Sequence, residues 1–251
     1  MILYQHIGRK LVVALGFACA AYSSQAIAST IVAPVTAVAS SEFIASGFDF
    51  SIENTIDKSG LSFGYVSGVT DFDAYLASGP THTSNANGNE WFSENFGGSS
   101  VAGLTVTYGF SALTSINGFA LWNEDFAGLG STLLQYSVNG STYTDLMTIT
   151  PVPSEFAEAG EVVPYLAQVF SFSLTDMLFF RLVIADCPGP PPSESSFRGC
   201  GIGEVAFSAI LPPPPGPVDN NPVVPLPAAL PLFGSALGLF VWMGRRRKSC
   251  S

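Results

Sequence analysis

The stretch Leu133-Leu-Gln-Tyr-Ser-Val-Asn-Gly-Ser-Thr-Tyr-Thr-Asp-Leu-Met-Thr-Ile149 carries the clearest mark of the fold class. Leu133 to Val138 and Tyr143 to Ile149 are short runs carrying β-branched and aromatic side chains, and Asn139-Gly140 between them is the strongest short-range hairpin signal. The same pattern recurs on either side. Gly103 to Phe110 alternates Leu104, Val106 and Tyr108 against Thr105 and Thr107, and Ile116 to Trp122 is a further strand ending in Asn123, Glu124 and Asp125. Gln168 to Phe172, Leu178 to Ile184 and Ile202 to Ile210 supply three more. No segment from Ser29 to Leu211 keeps a helical period for three turns, whereas Gly, Asn, Asp and Ser punctuate the apolar runs. The pattern predicts an all-β antiparallel sandwich or barrel.

Composition narrows what such a body does. The 251 residues are 47% apolar and only 11% charged, which excludes a disordered chain. The formal net charge of -10 argues against nucleic acid as a partner, because like charge repels phosphate. The bases are unevenly placed: Arg9 and Lys10 stand at the front, Arg245, Arg246, Arg247 and Lys248 at the back, and only Lys58, Arg181 and Arg198 between. From Ser29 to Leu211 there are 18 acids against 3 bases, a formal charge of about -15. That body favours divalent cations over anionic partners. His6 and His82 are the two histidines, so multi-histidine metal sites are nearly excluded.

Both ends read as targeting segments. Arg9 and Lys10 precede the apolar stretch Leu11 to Ala21, and Ala26 and Ala28 put small residues where a signal peptidase inspects the chain, so residues 1–28 are expected to leave as a signal peptide. An uncleaved anchor is the weaker alternative, since the apolar core falls short of the ~20 residues a bilayer needs. Residues 212–223 form a proline-rich linker, stiff because proline fixes its own backbone. Then come Val224, Pro225, Leu226 and Pro227, an apolar run at 228–244 long enough to span a bilayer, and the basic cluster at 245–248. This three-part tail, residues 224–251, resembles the PEP-CTERM sorting signal of Gram-negative bacteria, with Leu226 where the name-giving motif has glutamate. The resemblance implies recognition by an exosortase, an inner-membrane intermediate held by the C-terminal helix, and a final place at the cell surface or outside it. It also implies an association with exopolysaccharide and biofilm. An ordinary single-pass anchor is the alternative.

The strands in order resemble the discoidin (coagulation factor 5/8 type C) domain of the galactose-binding-like jelly rolls. The pieces that carry this are Ser115-Ile-Asn-Gly-Phe-Ala-Leu-Trp-Asn123, Leu134-Gln-Tyr-Ser-Val-Asn-Gly-Ser-Thr-Tyr143, Phe179-Phe-Arg-Leu-Val-Ile184 and Gly201-Ile-Gly-Glu-Val-Ala-Phe207. Ile52-Glu-Asn-Thr-Ile-Asp-Lys-Ser-Gly-Leu-Ser62 is similar to an early loop in which sugar-binding members hold a structural calcium ion. Carried over by position, the ligands are the side chains of Asp57, Ser59 and Ser62, loop carbonyls, and Glu204 of the last strand. Calcium takes six to eight oxygens, which such a loop can supply. The same residues also read as an Asx-type turn at Asp57 beside a solvated Glu204. The resemblance likewise leaves two readings of Trp91: with Phe92, a stacking platform for a sugar, or the buried tryptophan that follows the calcium loop.

Cys187 and Cys200 flank a proline- and glycine-rich loop in a chain expected to be exported, which points to a disulfide. Enzymatic motifs are missing: the sequence holds no G-x-S-x-G, no H-E-x-x-H and no P-loop, and His82 reads as a loop residue. The expectation is therefore a non-catalytic, exported envelope or matrix protein with one jelly roll. The alternative is a carbohydrate-binding module that meets its glycan at the loop end.

Overall fold

Two unusually long strands organise the molecule. In the computed structural model, β5 runs Leu104–Asn123 and β9 runs Gln168–Ile184, and they pair antiparallel along most of their length. The structure describes residues 29–43, 47, 49–83, 88–94, 103–125, 127–152, 163–189 and 197–211. The chain divides into two units, Met1–Leu211 and Pro212–Ser251, and the described residues all belong to the first. The expected signal peptide with Ala26 and Ala28, the linker, Val224 to Pro227, the apolar run 228–244 and Arg245 to Arg247 lie outside the described residues. Among the described residues no helix is long and apolar enough to cross a membrane.

The remaining strands are β1 (Thr30–Val32), β2 (Thr36–Ala39), β3 (Thr81–His82), β4 (Trp91–Phe92), β6 (Thr132–Ser137), β7 (Thr144–Ile149), β8 (Tyr165–Leu166) and β10 (Gly201–Ala209). The expected antiparallel sandwich is present, with one difference of connectivity. Gly103 to Phe110 and Ile116 to Trp122, read as separate strands, are the two ends of β5, and Gln168 to Phe172 and Leu178 to Ile184 are likewise the two ends of β9. Register shifts between Gly109 and Thr114 and between Ile116 and Gly118 mark where the ribbon bends. Bulges of this kind raise the local twist and let a strand pass from one sheet to the other.

The N-terminal half of β5 and the C-terminal half of β9 thus belong to a first sheet with β2, β6 and β7. Their other halves form a second sheet with β10, which also pairs β1 and β4. Between the sheets, Phe119 and Phe207 stack at 5.8 Å, Phe180 meets Phe207 edge-on at 5.0 Å, and Tyr108, Leu134, Leu182 and Val205 complete the core. The second sheet is covered on its other face too. Ile31, Trp122 and Ala206 pack there against Tyr65, Tyr165 and the helix α1 (Phe72–Ala77) through Phe72 and Tyr75. Asp71 caps that helix, its carboxylate accepting from the Ala74 N–H at 2.7 Å. All nine residues of β10 are consequently buried.

The β6–β7 reversal falls where Asn139-Gly140 predicts it, but six residues make it. Gly140 takes the left-handed conformation (φ 72°), while Ser137 Oγ accepts from the Gly140 N–H and Asn139 Oδ1 accepts from the N–H groups of Ser141 and Thr142. Cys187 and Cys200 form the expected disulfide, with Cα atoms 5.0 Å apart. The Cys200 N–H donates to Ser93 Oγ at 2.8 Å, so the bridge also anchors the chain just after β4. Replacing both cysteines by serine is expected to lower stability by about 3 kcal/mol, the chain-entropy value for a loop near this size. In thermal unfolding that is a fall of roughly 6–12 °C for a domain of this length; an unchanged midpoint would show that the bridge constrains nothing.

Candidate functional site

Glu204 is the residue around which the covered face of the second sheet is built. It pairs with Trp122 of β5, and both side chains point into the layer made by residues 52–82. A 3₁₀ turn, Ile52–Thr55, delivers the chain to Asp57, whose Oδ1 accepts from the Ser59 N–H at 2.7 Å. The Asx-type turn is therefore formed. Lys58 takes φ 69°, the one non-glycine in the left-handed region among the described residues, and this turns its N–H onto Glu204 Oε2 at 2.8 Å. Glu204 is fully buried, not solvated as the Asx-turn alternative supposed. Burial raises its pKa well above the usual carboxylate range, with the Lys58 N–H working against that rise.

The other oxygen, Glu204 Oε1, has no partner within hydrogen-bond distance, although the Tyr65 hydroxyl, which donates to the Val205 carbonyl, is near enough to the carboxyl to temper the rise in its pKa. A buried carboxylate oxygen left over beside a loop is a costly arrangement unless something positive meets it. Asp57, Ser59 and Ser62 are all exposed on that loop, and Ser62 Oγ accepts from the Thr81 N–H at 3.0 Å. An orphaned carboxylate oxygen, a second carboxylate and two hydroxyls fit a hard cation with oxygen ligands. Among the described residues no three His, Cys, Asp or Glu side chains converge as a ligand group, so hydroxyls and carbonyls would have to complete the shell.

Beneath the loop lies a buried polar cluster that the sequence did not reveal. His82 is not a loop residue. It sits on β3, which bridges Leu61 on one side and pairs β8 on the other, and it is fully buried. Its Nδ1 lies 2.9 Å from the Thr83 carbonyl and 3.1 Å from the Tyr165 hydroxyl, while Nε2 has no partner. A carbonyl only accepts, so the ring proton belongs on Nδ1. The ring is held between two glycines: a Cβ on Gly60 or on Gly203 would run into it. Glu90 Oε1 stands 3.6 Å from Nδ1, and Glu90, Glu124 and Asp125 are all buried.

Burial decides the charge state here. It lowers the His82 pKa to about 4 and raises that of Glu90 to about 8, the nearby Asp125 adding to the rise. Near neutral pH both are uncharged, and their contact is not an ion pair. Glu124, whose Oε2 accepts from the Ala127 N–H at 2.5 Å, is also pushed up by burial and by Asp125 beside it. Every member of this set is closed to solvent.

Trp91 and Phe92 do not form a sugar platform. β4 pairs with β10 (Trp91 opposite Ile202, Phe92 opposite Gly201), which pulls both rings inside. The indole N–H donates to the Ser41 carbonyl at 3.2 Å, and Phe92 meets Phe50 and Phe197 edge-on at 5.2 and 5.6 Å. Polar side chains stay accessible instead on the outer face of the first sheet. There Thr107, Arg181, Gln135 and Asp145 align across β5, β9, β6 and β7. Arg181 Nε and Nη2 both donate to Gln135 Oε1 (2.8 and 2.6 Å), Gln135 Nε2 donates to Asp145 Oδ1 (2.7 Å), and the guanidinium lies 3.5 Å from the centre of the Tyr143 ring. Gln135 and Arg181, each a single polar residue inside an apolar run, were the signal that could have found this row.

Among solved structures the chain is similar to carbohydrate-binding modules. The family 32 CBM from Clostridium perfringens NanJ in complex with galactose aligns at 13% identity and TM-score 0.45, over 72% of this chain and 98% of that one. The CBM32 of AlyQ in complex with 4,5-unsaturated mannuronic acid aligns at 17% and 0.42, over 70% and 96%. Chitosan-binding module 1 from the chitosanase/glucanase of Paenibacillus sp. IK-5 gives 16% and 0.42, over 70% and 95%. No family model matches the chain. No curated protein matches it either.

The two opposed pKa shifts define a stability window. Glu90 is raised, so the folded state holds its proton between about 4.5 and 8 and stability falls as pH rises through that range. His82 is lowered, so the unfolded state binds the extra proton between about 4 and 6.5 and stability falls as pH drops through it. Between about 4.5 and 6.5 these two slopes oppose one another, so thermal midpoints measured from pH 4 to 9 should fall on the alkaline side, where the raised Glu124 and Glu204 add to Glu90, and Glu90→Gln should make that alkaline fall shallower. An alkaline limb unchanged in Glu90→Gln would mean that Glu90 is already ionised in the folded protein.

Proposed function

We propose that the folded body is a non-catalytic, glycan-binding jelly roll of the discoidin type, exported and carried to the cell envelope or matrix by the tail that follows it. One observation supports the binding class over an enzyme. The groups suited to acid–base chemistry, His82, Glu90, Glu124 and Asp125, are closed inside the protein, whereas a pre-ordered set of hydrogen-bonding side chains remains on an open sheet face. In this reading calcium is structural. Asp57, Ser59, Ser62 and Glu204 hold it together with loop carbonyls, and it neutralises the orphaned carboxylate oxygen of Glu204.

The sorting half of the proposal rests on the sequence of residues 212–251: stiff linker, Val224-Pro-Leu-Pro227, apolar run and basic cluster. Signal peptidase and an exosortase are the partners in transit, and exopolysaccharide is the partner at the destination. A purely structural role in matrix assembly is the second reading, favoured by the acidic, disulfide-closed body, and it requires no glycan affinity.

Two measurements address this. Calcium should raise the melting temperature of the purified protein, chelator should reverse the rise, and Asp57→Ala should abolish it; identical melting curves with and without chelator would dispose of the ion. Fractionation of tagged cells combined with intact mass should show a species lacking residues 1–28 and the tail outside the inner membrane. Retention of the full tail at the inner membrane would make the protein an ordinary anchored one.

A further inference from the structure

With Trp91 and Phe92 buried, that pair does not offer a glycan its surface. We propose that an uncharged polysaccharide chain lies across the outer face of the first sheet, over the row Thr107, Arg181, Gln135 and Asp145; this placement rests on the glycan reading and adds to it a surface and a ligand class.

The outer face of the second sheet is covered over β10, every residue of which is buried, and carries only Val169 and Ser171 exposed along β9, whereas the outer face of the first sheet presents a polar row to solvent. On the first sheet, Arg181, Gln135, Thr107 and Tyr143 are half-buried and Asp145 is exposed. These side chains have solvent on one side and a rigid sheet beneath.

Strand pairing sets the spacing of the row. Direct cross-strand pairing puts Thr107 opposite Arg181, Arg181 opposite Gln135 and Gln135 opposite Asp145. With strands about 4.8 Å apart the row is some 14 Å long, the reach of a short oligosaccharide lying perpendicular to the strands. Arg181 is fixed by its two bonds to Gln135 and by the Tyr143 ring under it, and Gln135 is fixed by Asp145. Side chains locked before binding lose little conformational freedom on binding, which is where much of the cost of recognition otherwise lies.

Chemistry selects the ligand. The bonds to Gln135 use one edge of the guanidinium and leave Nη1 as a donor, while Asp145 offers its second oxygen as an acceptor. Donor and acceptor in one row match neighbouring sugar hydroxyls, each of which gives one hydrogen bond and takes another. A polyuronate or sulfated chain would place its charges against Asp145 and against a body of about -15.

The experiment titrates the full chain with neutral galactan, glucan and mannan, with a polyuronate and with a sulfated polysaccharide, and repeats the binding series with Arg181→Ala and Gln135→Ala. The expected result is binding of at least one neutral polymer, a tenfold or greater loss in both variants, and protection of Tyr143 from hydroxyl-radical oxidation when the polymer is bound. The protection measurement uses the unmodified protein, so it decides the placement even if a variant folds poorly. Neutral binding that both variants keep, with Tyr143 unprotected, overturns the placement and leaves the glycan reading standing. Tighter binding of the polyuronate or the sulfated chain overturns the ligand class. Binding of none of the five overturns the proposal and the glycan reading together.

Discussion

The continuity of β5 and β9 through the corner of the sandwich fixes the other arrangements in the molecule. Because the same two strands belong to both sheets, the sheets cannot slide independently, and their inner faces are brought into register by covalent chain. Phe119 and Phe180 sit in opposite halves of this ribbon and close on Phe207 from β10. The aromatic centre is thus the meeting point of three strands, two of which supply residues to both layers. A core of this kind specifies one packing, since shifting either strand by one residue would turn its buried set outward.

From that frame the two outer faces diverge. The second sheet acquires a third layer of loop, helix and short strands, and this layer brings carboxylates and an imidazole into an interior that solvates charge poorly. The first sheet keeps its outer face, where Arg181 and Asp145 reach solvent. Polar side chains therefore have opposite surroundings on the two sides: sealed in one place, accessible in the other. Depth relative to the ribbon, rather than residue type, assigns them.

Much of the fold was legible from period and punctuation. Gly103 to Phe110 alternates clearly, and the other halves of β5 and β9 and the β6–β7 hairpin are apolar or β-branched runs bounded by turn residues, enough for the pattern to stand out. The short strands β1, β3, β4 and β8 have two or three residues apiece and no period to read. Joining the strand halves was not legible either, because Ser111 to Thr114 looks like a turn in sequence, although the pairing resumes at Thr114 opposite Met177. The loop of Asp57 and its approach to Glu204 followed from family resemblance; the burial of Glu204 did not, since a lone glutamate in a strand is solvated by default. His82, Glu90, Glu124 and Asp125 lie far apart in sequence, and only the covering layer brings them into one interior. For Trp91 and Phe92 the sequence left platform and buried ring both open, and pairing with β10 decided for burial.

The imidazole of His82, held between Gly60 and Gly203, joins parts that would otherwise be independent. Gly60 belongs to the loop that carries Asp57, and Gly203 is the neighbour of Glu204. With no side chain on either glycine, the flat ring acts as a shim of fixed thickness between loop and strand. Its width sets the gap across which Lys58 reaches Glu204, so the spacing of the surface loop is gauged by an aromatic ring that never meets solvent.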